Sequence, residues 1–144
     1  MSTYIPENLR LLTAKRANYA CEYCLLSQDD AFHSFHIDHI ISLKHGGPTI
    51  ENNLAFACSF CNRNKGSDVG SYLFSKEQFV RFFNPRKDKW VNHFSLDLSA
   101  GLILPKTEVG EATIKILIFN NSELVIDRKM LIQAGTYPAV LNSP

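Results

Sequence analysis

Two Cys-x-x-Cys pairs, Cys21/Cys24 and Cys58/Cys61, carry the strongest chemical signal in the chain. A two-residue spacer brings both sulfurs of a pair to one side of the backbone. Two such pairs can offer four thiolates in tetrahedral array, a donor set that suits Zn2+. With every position filled by protein, such a zinc is structural and leaves no open site for water. The chain has no other cysteine. Four buried free thiols, or a redox pair, are the other readings of the same residues. The segment between the pairs is longer than in a short zinc ribbon. It must hold a substructure of its own, which the metal would clamp at both ends.

Inside that segment come Asp38-His39, then Gly46-Gly47, then Asn53-Leu54. Directly at its end comes Cys61-Asn62-Arg63-Asn64-Lys65-Gly66. The dipeptide Asp38-His39 alone is a weak signal, and Asn53 alone is weaker. Their joint placement between the Cys pairs, with Asn62 directly after the last cysteine, is specific. In this order the chain resembles the HNH endonucleases, in their zinc-bearing branch: Cys-x-x-Cys, Asp-His-Ile, Gly-Gly, Asn-Leu, Cys-x-x-Cys-Asn-x-x-Lys. The resemblance is tight over residues 16–67, and residues 84–94 look like a tail found on small members.

The resemblance implies an α+β fold with a ββα-metal core, also called a His-Me finger. A four-cysteine zinc knuckle, flanking helices and a small C-terminal α/β extension complete it. It also implies a phosphodiester hydrolase acting on DNA, with RNA as the alternative substrate. His39 matches the residue that takes a proton from the attacking water, a task a neutral imidazole can perform near pH 7. Asp38 and Asn62 match the ligands of a catalytic divalent cation. A carboxylate with an amide oxygen is a hard, weak set that favours Mg2+ or Mn2+. The family's name has His at the last position, and Asn62 is a variant there. Asn53 matches the middle Asn, whose implied task is to brace the loop and orient the His39 ring. Lys65, and with less support Arg63, are candidate phosphate contacts; a surface cation is the plain alternative for each. His36 either lines the site or packs beside the knuckle. On a regular strand Asp38 and His39 project to opposite sides, so a twist or bulge is needed for both to serve one site. On this reading the four cysteines carry the fold, while Asp38, His39 and Asn62 carry the cut and contribute little to folding.

The elements that must place these residues follow from pattern and punctuation. Residues 6–20 read as a helix, with Pro6 in its first turn and Leu9, Leu12 and Arg16 near one face. Residues 28–34 read as a polar loop and 35–41 as a strand. A glycine-rich break follows, then a short strand over 54–57 and a helix over 58–65 stopped by Gly66. Ser75-Lys-Glu-Gln78 resembles a capping box and predicts a helix through Phe83, ended by Asn84-Pro85. Residues 93–97 and 102–104 suit a small hairpin. Residues 111–119 fit either period, with helix preferred and Thr107 near its start. Residues 122–134 read as a helix capped by Ser122, with Leu124, Leu131 and Ile132 on its face and Gly135 as its stop.

The 144 residues predict an HNH nuclease domain over 1–94, with 95–144 as an extension packed on the same domain. The first twenty residues are charged throughout and no apolar run could cross a bilayer, which predicts a cytoplasmic protein without a membrane partner. Net charge is only +1, yet residues 59–93 hold seven Lys/Arg against three Asp/Glu, suiting a phosphate-facing patch or a solvated surface. Two other functions fit the same features. One is a zinc-stabilised nucleic-acid-binding module without turnover, and the other is the nuclease subunit of a larger defence or mobile-element system. Oligomeric state is not legible.

Overall fold

The computed structural model describes residues 4–139; residues 1–3, and residues 140–144 at the end of the expected extension, lie outside it. Eleven α-helices and β-strands among the described residues are placed by local sequence. Helix α1 spans Glu7–Arg16, with Pro6 at its N-cap. Strands β1 (His36–His39) and β2 (Leu54–Ala57) pair antiparallel, His36 opposite Ala57 and His39 opposite Leu54. Helix α2 (Ser59–Lys65) follows β2 after a single residue, Cys58, whose sulfur caps the helix by accepting from the Cys61 amide. Strand, loop, strand and helix thus form a ββα unit, as the sequence predicts.

The helix predicted from Ser75 is absent. Residues 70–81 form a hairpin instead, β3 (Gly70–Leu73) paired antiparallel with β4 (Gln78–Arg81). The capping-box pattern is overridden by alternation: Val80 and Phe82 are buried while Phe79 and Arg81 are exposed. Glu77 takes the left-handed conformation at φ 50° and closes the turn. After α3 (Trp90–His93), the hairpin expected near 93–104 is present as β5 (Phe94–Asp97) and β6 (Leu102–Pro105). Strand β5 crosses the expected domain boundary between residues 94 and 95.

Helix α4 (Glu108–Leu117) resolves the ambiguous segment as a helix; Thr107 caps it by accepting from the Gly110 amide. Helix α5 (Ser122–Ala134) is capped by Asn121 rather than Ser122, because the Asn121 side chain accepts from the Glu123 amide. Gly135 ends it in the left-handed conformation. In α1 the buried face is Thr13 and Ala14, continued by Ala17, and Leu12 is exposed. The small residues let α1 approach the sheet closely, and Arg16 donates to the Leu54 carbonyl of β2 at 2.8 Å.

One connected core runs from Ala14 and Ala17 through the cysteines and Phe56 to Phe83, Phe94, Leu117 and Phe119. Phe94 is its hub on the C-terminal side, with ring centroids 4.9 Å from Trp90, 5.4 Å from Phe83 and 5.6 Å from Phe119. Helix α4 packs on α2, β3, β4 and β6 and so carries the later hairpins onto the ββα unit. Arg128 of α5 is buried, and donates to the carbonyls of Gly101 and Phe119 and to the Asn120 side chain. No helix among the described residues is long and apolar enough to cross a membrane.

Candidate active site and metal centre

Four sulfurs converge where the β1–β2 unit meets the turn after α1. The ligand atoms of Cys21, Cys24, Cys58 and Cys61 all lie within 4.8 Å of one another. Cys24 Sγ and Cys58 Sγ are 3.8 Å apart, close to the edge of roughly 3.8 Å for a tetrahedron with Zn–S near 2.3 Å. Backbone amides of Cys24 and Cys61 donate to the sulfurs of Cys21 and Cys58, at 3.5 and 3.4 Å. Hydrogen bonding within the cluster, first with Cys21, pushes the Cys58 thiol far down and the Cys24 and Cys61 thiols well up. A metal cation would let all four ionise. The arrangement is tetrahedral-like and fits a zinc knuckle.

Four contacts tie the rest of the chain to that knuckle. The Tyr137 hydroxyl donates to the Cys24 carbonyl at 2.7 Å, and Trp90 Nε1 donates to the Tyr23 carbonyl at 2.8 Å. Glu22 accepts from the Phe56 amide of β2 at 2.8 Å and pairs with Arg86. Burial pushes the Glu22 carboxyl up, against the pull of Arg86.

His39 stands at the end of β1, half-buried, with Nε2 2.9 Å from Thr49 Oγ1. Burial lowers the affinity of its ring for a proton, Asp38 opposes this and Lys65 reinforces it, with a net shift below the ordinary histidine value. The ring is therefore neutral at pH 7 and able to accept a proton. Thr49 gave no sign of this contact in the sequence.

Asn53 is 7% exposed and fully used. Its Oδ1 accepts from the Ile41 amide at 2.9 Å, and its Nδ2 donates to the carbonyls of Ile41 and Pro48, each at 2.9 Å. It holds the loop closed across the mouth of the strand pair. The glycines before it have separate reasons. Gly46 takes φ 82°, while a Cβ on Gly47 would fall 1.7 Å from the Ile41 carbonyl oxygen. The loop can fold back on Ile41 only without a side chain there.

Asp38 turns inward, as alternation requires, and is 4% exposed. Its Oδ2 accepts from the Tyr23 hydroxyl at 2.7 Å, and Lys65 Nζ lies 3.2 Å from both carboxylate oxygens. Burial raises the Asp38 carboxyl above its ordinary value, against Lys65 and Tyr23. Two expectations change here. Lys65, expected at a substrate phosphate, is 1% exposed and turned to Asp38 and the His39 carbonyl, 3.0 Å away. Asp38, expected to matter little for folding, anchors a buried ion pair between β1 and α2.

Asn62 is half-buried on α2, and its side-chain amide has no hydrogen-bond partner among the described residues. Arg63 is exposed, its guanidinium 5.5 Å from the Phe60 ring centroid. His36 is exposed at the far end of β1 and meets Ser59 Oγ at 3.2 Å, beside the start of α2. The basic excess over 59–93 is largely taken up internally. Lys65, Lys76, Arg81 and Arg86 pair with Asp38, Glu108, Asp88 and Glu22. Arg63, Lys87 and Lys89 have no ion pair among the described residues.

The pair Asp38 and Asn62 is suited in kind to a hard divalent cation. The ammonium of Lys65 and the hydroxyl of Tyr23 already engage that carboxylate, and no hydrogen bond joins Asp38 to Asn62 among the described residues.

Neither a curated protein nor a solved structure matches the chain. A family model does: the HNH endonuclease model matches residues 21–68, about a third of the chain. That stretch starts at the first knuckle cysteine and takes in β1, the braced loop, β2 and α2. This match covers less than half of the chain, and the similarity to HNH endonucleases is confined to residues 21–68, which the cysteine cluster frames.

Proposed function

We propose that the chain is a divalent-cation-dependent endonuclease that hydrolyses phosphodiester bonds in DNA, with zinc held by Cys21, Cys24, Cys58 and Cys61. The observation that carries this reading is His39. Its imidazole is neutral at pH 7, partly open to solvent, oriented by Thr49, and set inside the HNH segment.

In this reading His39 takes the proton of the attacking water. Thr49 fixes the ring, and Asn53 holds the loop that carries Thr49. Asp38 and Asn62 would hold Mg2+ or Mn2+. When bound, that ion neutralises the phosphate and stabilises the departing sugar oxygen. Arg63, exposed on α2, contacts substrate phosphate.

A supercoiled-plasmid nicking assay with Mg2+ or Mn2+ tests the proposal. Wild type converts plasmid to open circle, and omission of both ions stops conversion while zinc stays bound. A folded, zinc-loaded protein that binds the plasmid but never nicks it under either ion would instead be a binding module.

A further inference from the structure

The outer face of the β3–β4 hairpin carries rings where an exposed strand pair ordinarily carries polar side chains. Tyr72 and Phe79 stand directly opposite each other in the register. Phe74 follows on the same side, its ring centroid 4.8 Å from that of Tyr72. Leu73, Val80 and Phe82 fill the inner face and are buried, so the core does not depend on the outer rings. Phe74 is 78% exposed, Phe79 62% and Tyr72 41%. A Cβ on Gly70 would fall 2.7 Å from the Phe79 ring, so that ring rests against bare backbone and leaves its other side to solvent.

We infer that this face is a stacking platform for single-stranded nucleic acid, leading away from the candidate active site. The inference rests on the nuclease reading for nucleic acid as the partner, and on the hairpin for the unpaired state of the strand. The hairpin begins where the site ends. Lys65, the last residue of α2, donates to the His39 carbonyl at 3.0 Å. Ser42, just past β1, donates to the Ser67 carbonyl at 2.7 Å. Gly70 opens β3 shortly after Ser67. From Gly70 to Phe74 the chain runs roughly 13 Å, at about 3.3 Å per residue, which is room for a few nucleotides.

The composition of the face selects the partner. Gly70, Tyr72, Phe74, Phe79 and Arg81 share it, and no aliphatic side chain does. Aromatic rings accept any base, because each base has a π-face to stack. A duplex hides those faces between its own pairs, so only an unpaired strand can use the hairpin. Cations and acids alternate around the rings: Lys76, Arg81 and Lys115 stand among Asp68, Glu77 and Glu111. Phosphate attraction is therefore weak here, and stacking has to supply the binding. Beside Phe74 a cavity of about 360 Å3 adds Ser75, Glu111 and Lys115 to the ring, with the ammonium 5.9 Å from the ring centroid. Those polar groups suit the edge of a base stacked on Phe74.

The test measures binding by fluorescence anisotropy on the zinc-loaded full chain, without added divalent cation so that no cutting interferes. The probes are a fluorescein-labelled DNA single strand of mixed sequence and the duplex made from it. Wild type is expected to bind the single strand. Phe74→Ser/Phe79→Ser is expected to bind it about a hundredfold more weakly, roughly tenfold per ring, with duplex affinity unchanged. Phe74→Trp keeps a stacking ring and is expected to retain wild-type affinity. Should the double variant not fold, Phe74→Ser alone carries the test, with an expected loss of about tenfold. Single-strand affinity that the folded serine variants leave unchanged overturns the inference, and so does an equal loss on duplex. Ring-dependent self-association in sedimentation velocity, with no single-strand binding, also overturns it and assigns the face to a second copy of the chain. The nuclease reading fails separately: ring-dependent binding of the single strand, with no nicking by wild type, keeps the platform and removes the activity.

Discussion

The Tyr23 hydroxyl donates to Asp38 Oδ2 across 2.7 Å. Tyr23 lies between the two cysteines of the first Cys-x-x-Cys turn, and Asp38 lies on β1 beside His39. The knuckle and the candidate active site are therefore joined by a side chain, not only by the backbone. Burial, with Asp38 second, pushes the Tyr23 phenol well up, so it stays a donor throughout the ordinary pH range. Tyr23→Phe should keep zinc bound and lower unfolding free energy by about 2 kcal/mol, the usual worth of a buried hydrogen bond to a charged group. Chemical denaturation with a parallel zinc count checks this; loss of zinc from the variant would show that Tyr23 supports the metal site itself.

The cysteine cluster and the ββα unit were legible in the sequence, because covalent spacing dictated them. Cys-x-x-Cys turns fix sulfur positions within a few residues, and the single residue between β2 and α2 fixes where Asn62 starts. Contacts between residues far apart in the chain were not legible. Nothing in Tyr23, Thr49 or Tyr137 as residue types announces a partner. Lys65 misled for the same reason. A lysine near a predicted active site reads as a phosphate contact, and only the crossing of α2 over β1 turns it onto Asp38. The hairpin over 70–81 was missed because a four-residue capping pattern outweighed the alternation of Phe79, Val80, Arg81 and Phe82.

The Asp38–Lys65 pair should behave as one unit. Its members are 4% and 1% exposed, and removing either strands the other's charge. Asp38→Asn and Lys65→Met should each cost about 3–5 kcal/mol in the absence of divalent cation. The double variant should cost clearly less than the sum, a coupling that a double-mutant cycle measures. Additive losses would mean that the two groups act independently.

Asn53 and Gly47 support the loop that presents Thr49 to His39. Asn53→Ala leaves the Ile41 amide and two carbonyls without their partner and should cost about 3 kcal/mol. Gly47→Ala places a methyl group on the Ile41 carbonyl and should open the loop. Hydrogen exchange at the Ile41 amide reads both effects. Fast exchange is expected in each variant, and wild-type protection in Gly47→Ala would refute the steric argument.

Arg81 and Asp88 make a forked pair at 2.7 and 3.1 Å that closes the chain after β4. Partial burial pushes the Asp88 carboxyl up. The Arg81 hydrogen bond, the Asn84 amide, and the charges of Arg81 and His93 outweigh it and hold the carboxyl below its ordinary value of 3.8. A lowered carboxyl stabilises the fold fully above the ordinary value, and that contribution is lost as pH falls through the lowered one. Arg81 is half-exposed, so screening keeps the gain small, about 1 kcal/mol. Asp88→Asn should be less stable than wild type at pH 7, with the gap closing below about pH 4. An equal gap at pH 7 and pH 2.5 would assign the loss to packing instead of charge.

His39 is assigned the cut and the cysteines the fold, and plasmid nicking with His39→Ala decides whether that division holds. The comparison is made at matched zinc content and melting temperature, with Mg2+ or Mn2+ present. Wild type is expected to nick, and the variant to nick at least about a hundredfold less, the usual contribution of a general base, with zinc and fold unchanged. Nicking by folded His39→Ala at the wild-type rate would contradict the assignment.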